Sequence, residues 1–527
     1  MKNYHLLFIV LLAIILRIYY LIYNAGDLSL ANLGGDPCFH YNIAYNIAKG
    51  IGPKTSFIFS YWFSHDSLPA LTDVYPPGFH FFSALFLLLN DHYLTGRFAN
   101  FFISILTIVI IYFIGKKIHS NNLGLLASFM LSINYFHIEN STVFMTVNFY
   151  TFLVTLFFFL LFVLSEKKHT NLKQFLIGIV VGYSSISFGG WQVLLIIYVY
   201  YYFIIQHKFE LKKKYLLFLI GFSLIFLPWA VETFNYFGII NYSNQKYYLY
   251  WSWGDMMNSN IKPSFHIFWD TLNLKDYIFD HIIWFKNNII KFSLSLFPTF
   301  IFFLSFLLIP ICLYGYYKLR DKNSVVFIIF IVIYFAAMSL ASYSNGGVMY
   351  FRHFMPFLPA VSILLGAGIL AIINLKIFKK LTYLKNYFIL SIYLLSIIGT
   401  LIGFEIKETF WQRDSEPFYN FSKIIKKNVP DNQRIMYGLT VADAWCSTGR
   451  EIIQDPSFLQ TKSPERAIEE IKKYDVGYLF IDLSDQIYDR SLHSLEETLS
   501  FYEGINLKKI ASDEVNGFYL FKIGEYE

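Results

Sequence analysis

Apolar runs of about twenty residues, separated by short polar stretches, recur along the first 404 positions of this chain. A helix needs about 20 mostly apolar residues to cross the hydrocarbon core of a bilayer. Runs of that kind fall near 4–23, 97–115, 122–138, 147–165, 173–188, 190–206, 215–235, 294–317, 324–343, 350–374 and 384–404, which predicts eleven transmembrane helices. The apolar stretch Gly78–Leu89 is shorter and follows Pro76-Pro77, so it is predicted to lie along the outer membrane interface rather than to span.

Charge in the loops fixes the orientation. With the N-terminus inside, the cytoplasmic turns hold Lys116 and Lys117; Lys167, Lys168 and Lys173; Lys208 and Lys212 to Lys214; Lys318, Arg320 and Lys322; and Lys376, Lys379, Lys380 and Lys385. The short outer turns at 137–147, 188–190 and 343–350 hold no Lys or Arg, as the positive-inside rule requires. The first span has a short basic start and no small-residue cleavage site, and reads as an uncleaved signal anchor. Three segments then face outward: a long first loop (24–96), a second loop (236–288) and the tail from Glu405. A reporter fused after Lys407 is therefore expected to be extracytoplasmic and one fused at Lys213 cytoplasmic; finding both on one side would overturn the eleven-span arrangement.

The tail changes character. Charged stretches of helical period, such as Pro464-Glu465-Arg466-Ala467-Ile468-Glu469-Glu470-Ile471, alternate with short β-type runs such as Gly477-Tyr478-Leu479-Phe480-Ile481. The expected fold is thus a polytopic α-helical membrane protein, N-terminus in and C-terminus out, with a transmembrane domain over 1–404 and an extracytoplasmic α/β domain over 405–527.

Composition agrees with that class, with 56% hydrophobic and only 15% charged residues. Aromatic residues reach 20%, which fits either the base composition of the genome or a functional demand. The net charge of +6 resides in short loops and gives no sign of nucleic-acid binding. The three cysteines, Cys38, Cys312 and Cys446, are far apart, and their spacing implies neither a zinc site nor a disulfide framework.

Candidate chemistry concentrates in the outer segments. Asp36, in Gly34-Gly35-Asp36-Pro37, lies a few residues outside the first span and leads into an aromatic helix closed by Gly50 and Gly52. Pro37 suits a first helical position, so Asp36 has two readings, a helix N-cap or a catalytic acid. Arg352-His353 lies at the outer end of the tenth span, where a guanidinium can neutralise a lipid phosphate or snorkel to the interface. Arg97, at the outer start of the second span, has the same two readings. Tyr75, Trp251 and Trp253 offer stacking surfaces for a sugar or isoprenoid, and an interfacial aromatic belt explains the two tryptophans equally well. His137 and Asn140 read as parts of a solvated outer turn. Arg17 is the main ionisable residue inside a predicted span.

The order of Asp36 and its aromatic helix, then Asp73-Val74-Tyr75-Pro76-Pro77-Gly78, the interfacial helix and Gly96-Arg97 resembles the GT-C glycosyltransferase superfamily. That superfamily includes protein mannosyltransferases, aminoarabinose transferases and oligosaccharyltransferase catalytic subunits. The resemblance continues through Phe188-Gly189-Gly190-Trp191 and Tyr350-Phe351-Arg352-His353-Phe354-Met355-Pro356. It implies transfer of a sugar from a polyprenyl-phosphate donor, without a nucleotide-sugar, to a protein, lipid or glycan acceptor at the outer face of the cell membrane. The superfamily's first-loop aspartate corresponds to Asp36. Oligosaccharyltransferase-like relatives carry acidic metal ligands in the second outer turn, where Glu139 is the one acid and Asn148 replaces another; Glu139 with Asp36 is the candidate pair for a divalent cation, Mg or Mn. The tail's Asp443-Ala444-Trp445-Cys446-Ser447-Thr448-Gly449 falls where oligosaccharyltransferases carry Trp-Trp-Asp-Tyr-Gly, and that motif is missing. Competing expectations are an oligosaccharyltransferase-like enzyme, a polyprenyl-glycan flippase or other transporter, and a membrane scaffold; few ionisable residues in the spans argue against transport.

Overall fold

The structure, a computed structural model, describes residues 4–23, 35–58, 65–164, 166–206, 214–240, 283, 286, 302–319, 322–341, 351–375, 416–438, 441–455, 464–483, 494–500 and 502–526. Trp251, Trp253 and the predicted span 384–404 lie outside them.

Helices occupy the predicted spans within these residues. They are α1 (Tyr4–Tyr23), α2 (Gly35–Ala48), α3 (Gly78–Leu87), α4 (Tyr93–Ile118), α5 (Asn121–Ser132), α6 (Tyr135–Thr142), α7 (Thr146–Phe162), α8 (Glu166–Ser185), α9 (Trp191–Val199), α10 (Lys214–Phe237), α11 (Phe302–Leu319), α12 (Lys322–Ala341) and α13 (Leu358–Ile373). A π-helix, Tyr200–Ile205, prolongs α9, and a 3-10 helix, Phe351–Phe357, precedes α13. By length and apolarity, four described helices suffice to cross a membrane, or five when α6 and α7 count as one bent span.

α1 shows how such a helix is placed. Ile9, Ala13, Leu16, Arg17 and Tyr20 recur at helical spacing and are buried, whereas Leu7, Phe8, Leu11, Ile15 and Ile22 are exposed. An apolar helix with one face packed and an equally apolar face exposed is one that has acyl chains for solvent.

The run 122–138 does not form one span. Twelve residues of α5 cover only about 18 Å. Asn134 then caps α6, its side chain accepting the His137 amide at 3.0 Å. α6 and α7 meet at 118°. Residues of α4 hold that break: Asn100 Nδ2 donates to the Val143 and Met145 carbonyls at 2.6 and 3.0 Å, and Arg97 Nε donates to the Thr142 carbonyl. Gly96 is obligatory here, because a Cβ on it would collide with the Phe144 ring.

As expected, α3 is too short to span. A Cβ at Gly78 would strike Ser187 and the Ile186 carbonyl, and its amide donates to that carbonyl at 2.6 Å. This close approach explains the glycine of Tyr-Pro-Pro-Gly and seats the first loop on the α8–α9 turn.

The tail is an α/β unit. Its helices include α14 (Glu416–Asn428), α15 (Val441–Thr448) and α16 (Pro464–Lys473). Its strands are β4 (Arg434–Tyr437), β5 (Ile452–Gln454), β6 (Val476–Asp482), β7 (Ile505–Asp513) and β8 (Phe518–Tyr526). Three short strands belong to the first loop: β1 (Lys54–Thr55), β2 (Phe57–Ile58) and β3 (Ala70–Leu71). The six-stranded sheet runs β2-β5-β4-β6-β8-β7, parallel from β2 to β6 and antiparallel after it. Its edge strand β2 therefore comes from the first loop, with Phe57 opposite Ile452.

A covalent tie reinforces this junction. Cys38 on α2 and Cys446 on α15 form a disulfide across 408 residues, with Cα atoms 5.9 Å apart. The cysteine spacing implied no such framework, because only the folded chain brings α2 onto α15. A disulfide fits an oxidising compartment, in keeping with the expectation that both segments face outward. Alkylation of unreduced, denatured protein should label Cys312 alone; labelling of all three cysteines would show that the bridge does not form.

Candidate active site

The site is organised by the first turn of α2. Asp36 is one residue inside that helix, and its carboxylate accepts two side-chain bonds rather than capping the helix. Tyr75 Oη donates to Oδ1 at 2.6 Å, and Arg352 Nη2 meets Oδ2 at 2.8 Å. The Asp36 and Arg352 side chains are about one third accessible, at 32% and 36%, so the pair is open to a ligand.

Each partner is aimed by its surroundings. The Tyr75 ring is held edge-on by Phe39 at 5.0 Å and covered by His40 at 4.2 Å. Asp36 and His40 are four apart on α2, so one helix face carries both the acid and the ring that positions its tyrosine. Tyr75 thus offers its hydroxyl; the stacking face expected of it is spent on Phe39 and His40. Thr72 Oγ1 donates to the Tyr75 carbonyl at 3.1 Å and steadies the turn before Pro76-Pro77. Arg352 is carried by the 3-10 helix that leads into α13, with Pro356 inside it and Pro359 in the first turn of α13, where a missing N–H is tolerated.

His40 and His80 form a buried pair, Nδ1 to Nε2 at 2.9 Å. Burial, with Arg352 nearby, lowers the His40 imidazole to about 3, and burial next to His40 holds His80 well below its ordinary value. Both rings are neutral, one donating to the other. A His pKa lowered on folding means that the unfolded chain binds the extra proton, so this stability is full above about pH 6.5 and drains as pH falls toward about 3. Melting temperature should therefore drop over that window in the wild type, and less steeply in His40→Phe. Equal slopes would mean that His40 is not buried as a neutral ring.

The remaining sequence candidates are dispersed. Arg97 donates to the Thr142 carbonyl and lies over the Tyr93 ring, 5.7 Å from its centroid. It braces the α6–α7 break and, among the described residues, makes no contact with Asp36. Glu139 lies within electrostatic range of Tyr20 and Tyr135. His353 is electrostatically close to both Arg352 and Asp36.

His137 and Asn140 are not in a solvated turn: they are 0% and 6% exposed, within α6. His137 is there because of Arg17, which is fully buried in α1. Its guanidinium donates to Ser104 Oγ at 3.0 Å, to the Ala13 and Ser132 carbonyls at 3.0 and 3.1 Å, and to His137 Nδ1 at 2.6 Å. Arginine has only donors, so His137 Nδ1 supplies a lone pair and the proton resides on Nε2. A buried guanidinium demands such partners, and that demand was the available signal for His137.

No three His, Cys, Asp or Glu side chains among the described residues come together as a metal-binding group. Both Asp36 oxygens are engaged by Tyr75 and Arg352, and His137 Nδ1 is engaged by Arg17. In this arrangement the cation that touches Asp36 is the Arg352 guanidinium.

Over residues 74–231 the chain matches the family model described as dolichyl-phosphate-mannose-protein mannosyltransferase. No curated protein sequence matches it. Among solved structures, it resembles ArnT from Cupriavidus metallidurans bound to undecaprenyl phosphate, with a TM-score of 0.63 and 11% identity, covering 99% of this chain and 98% of that one. It also resembles the archaeal oligosaccharyltransferase AglB from Archaeoglobus fulgidus, solved with an inhibitory peptide and a dolichol-phosphate. There the TM-score is 0.60 at 15% identity, over 98% of this chain and 74% of AglB. A further structure of the Archaeoglobus enzyme, in complex with Zn and sulfate, matches at 0.60 and 14% identity, over 97% of this chain and 72% of that one. The chain shares the fold of these solved structures, and in it many apolar helices are followed by a C-terminal α/β domain.

Proposed function

We propose that this protein is a membrane glycosyltransferase that moves a sugar from a polyprenyl-phosphate carrier to an acceptor hydroxyl or amide at the outer membrane face. The observation that carries this reading is the Tyr75–Asp36–Arg352 constellation, an acid and a fixed cation in contact beside the membrane. The acceptor attacks the anomeric carbon and yields its proton to Asp36, while the bond from that carbon to the phosphate oxygen breaks. Polyprenyl phosphate leaves with the added negative charge, which Arg352 is positioned to meet. Tyr75 fixes Oδ1, and Oδ2, which Arg352 touches, keeps a further lone pair for the acceptor's proton. Arg352 presents a planar guanidinium with five N–H donors, a shape suited to a phosphate, and its Nη2 meets Asp36 Oδ2.

Transfer from a simple lipid-phosphate sugar is favoured over an oligosaccharyltransferase reaction. The tail lacks the Trp-Trp-Asp-Tyr-Gly motif, and the chain spans nearly all of ArnT but about three quarters of AglB. No step here runs through a metal. Purified protein in nanodiscs, given a panel of undecaprenyl- and dolichyl-phosphate sugars, should release polyprenyl phosphate in the presence of acceptor extracts. If no donor is consumed while surface glycans of a deletion strain remain unchanged by mass spectrometry, the reading fails.

A further inference from the structure

A cleft of about 560 Å³ opens between the first loop and the tail. It is separate from the Asp36 site, because α2 divides the two. At 100° per residue, Asp36 and His40 share one face of α2, whereas Tyr41 and Tyr45 share a face turned well away from it. Tyr45 lies about 13 Å along the helix from Asp36. The aromatic side of the cleft is the half-buried Tyr45 with the mostly buried Tyr41 and Trp445 of α15, each tyrosine 6.0 Å from Trp445, and the Cys38–Cys446 bridge joins the two helices.

The rest of the lining is largely polar. Asn46 and Ser56 are buried at its base and hydrogen-bonded to each other at 3.0 Å. At the rim, Asn432 and Gln433 make no side-chain hydrogen bond among the described residues, so their amides are available in both donor and acceptor sense. The two carboxylates are already neutralised, Asp431 by Arg450 at 2.6 Å and Glu451 by Arg434 at 2.8 Å. They retain acceptor capacity with little net field. The volume falls within the ~300–1,000 Å³ typical of small-ligand sites.

We propose that this cleft binds a short neutral saccharide at a place distinct from the transfer site. A sugar presents an apolar C–H face and a ring of hydroxyls that each donate and accept. An aromatic side together with amides and charge-compensated carboxylates is complementary to that surface. A charged ligand would find no uncompensated field apart from Lys426. A peptide would call for apolar side-chain pockets, whereas beyond the aromatic rings and the bridged Cys446 the apolar liners here are Ile51 and Pro69. The junction is pre-organised by the disulfide and by β2 in the tail sheet, which lowers the ordering cost of binding.

The test is calorimetric titration of the full-length protein in nanodiscs with neutral trisaccharides of glucose, galactose and mannose, and with an N-acetylated, C-amidated tripeptide. At least one trisaccharide should bind, and Asn432→Ala and Tyr45→Ala should each weaken it about tenfold, by loss of a hydrogen bond and of the stacking face. Asn432 is at the exposed rim, so its variant tests the idea even if Tyr45→Ala folds poorly. Asp36→Asn should bind the trisaccharide as the wild type does, whatever happens to transfer. Binding of the tripeptide in place of sugars, no binding of any trisaccharide, or binding lost in Asp36→Asn but kept in Asn432→Ala would each overturn the proposal.

Discussion

Asp36→Asn should abolish sugar transfer while leaving insertion and folding intact. The amide can still accept from Tyr75 Oη, so the local geometry survives on one side. On the other side, an amide NH2 or a weak carbonyl acceptor replaces the anion that Arg352 contacts. A general base typically contributes about 10²–10⁴ in rate, and asparagine cannot take the acceptor's proton. The expected loss is at least about a hundredfold in turnover, with a melting temperature within a few degrees of the wild type because the site is only partly buried. Turnover within a few-fold of wild type would reduce Asp36 to an anchor for Arg352.

Arg352→Ala should have the next largest effect. Phosphate gains negative charge as the glycosidic bond breaks, so a fixed guanidinium is worth most in the transition state. Losing such a bond costs roughly 2–4 kcal/mol, or about 30- to 1,000-fold in rate. Arg352→Lys should recover only part, since a point charge replaces a planar fork. Because Arg352 also holds Asp36 Oδ2, the double variant with Asp36→Asn should lose much less than the sum of the two singles. Normal transfer by Arg352→Ala at both saturating and limiting donor would make the residue an interfacial anchor and displace the donor site.

Several site residues are legible in the sequence because topology singles them out. Asp36 and Arg352 are charged residues that the expected topology puts just outside the apolar spans, and Tyr75 is in a proline turn of the same loop as Asp36. Their roles are less legible. Tyr75 reads as an exposed ring, yet the fold turns its faces onto Phe39 and His40 and leaves the hydroxyl to act. Arg97 reads as a phosphate ligand, yet a bent backbone between α6 and α7 has carbonyls to satisfy, and Arg97 is among the donors that reach them.

Local periodicity alone decides the apolar helices, the short helix after Pro76-Pro77, and the helices and strands of the tail, because side-chain burial repeats every 3.6 or 2 residues wherever the chain folds. The helix Pro464–Lys473 and the strand Val476–Asp482 appear where that repeat puts them. Only the tertiary structure decides which distant groups meet. Cys38 finds Cys446 across 408 residues, β2 leaves its own loop for the tail sheet, Arg17 recruits His137, and Arg352 closes on Asp36. Those pairings are set by helix packing and by the need of buried polar groups for partners, neither of which leaves a periodic trace in a single sequence.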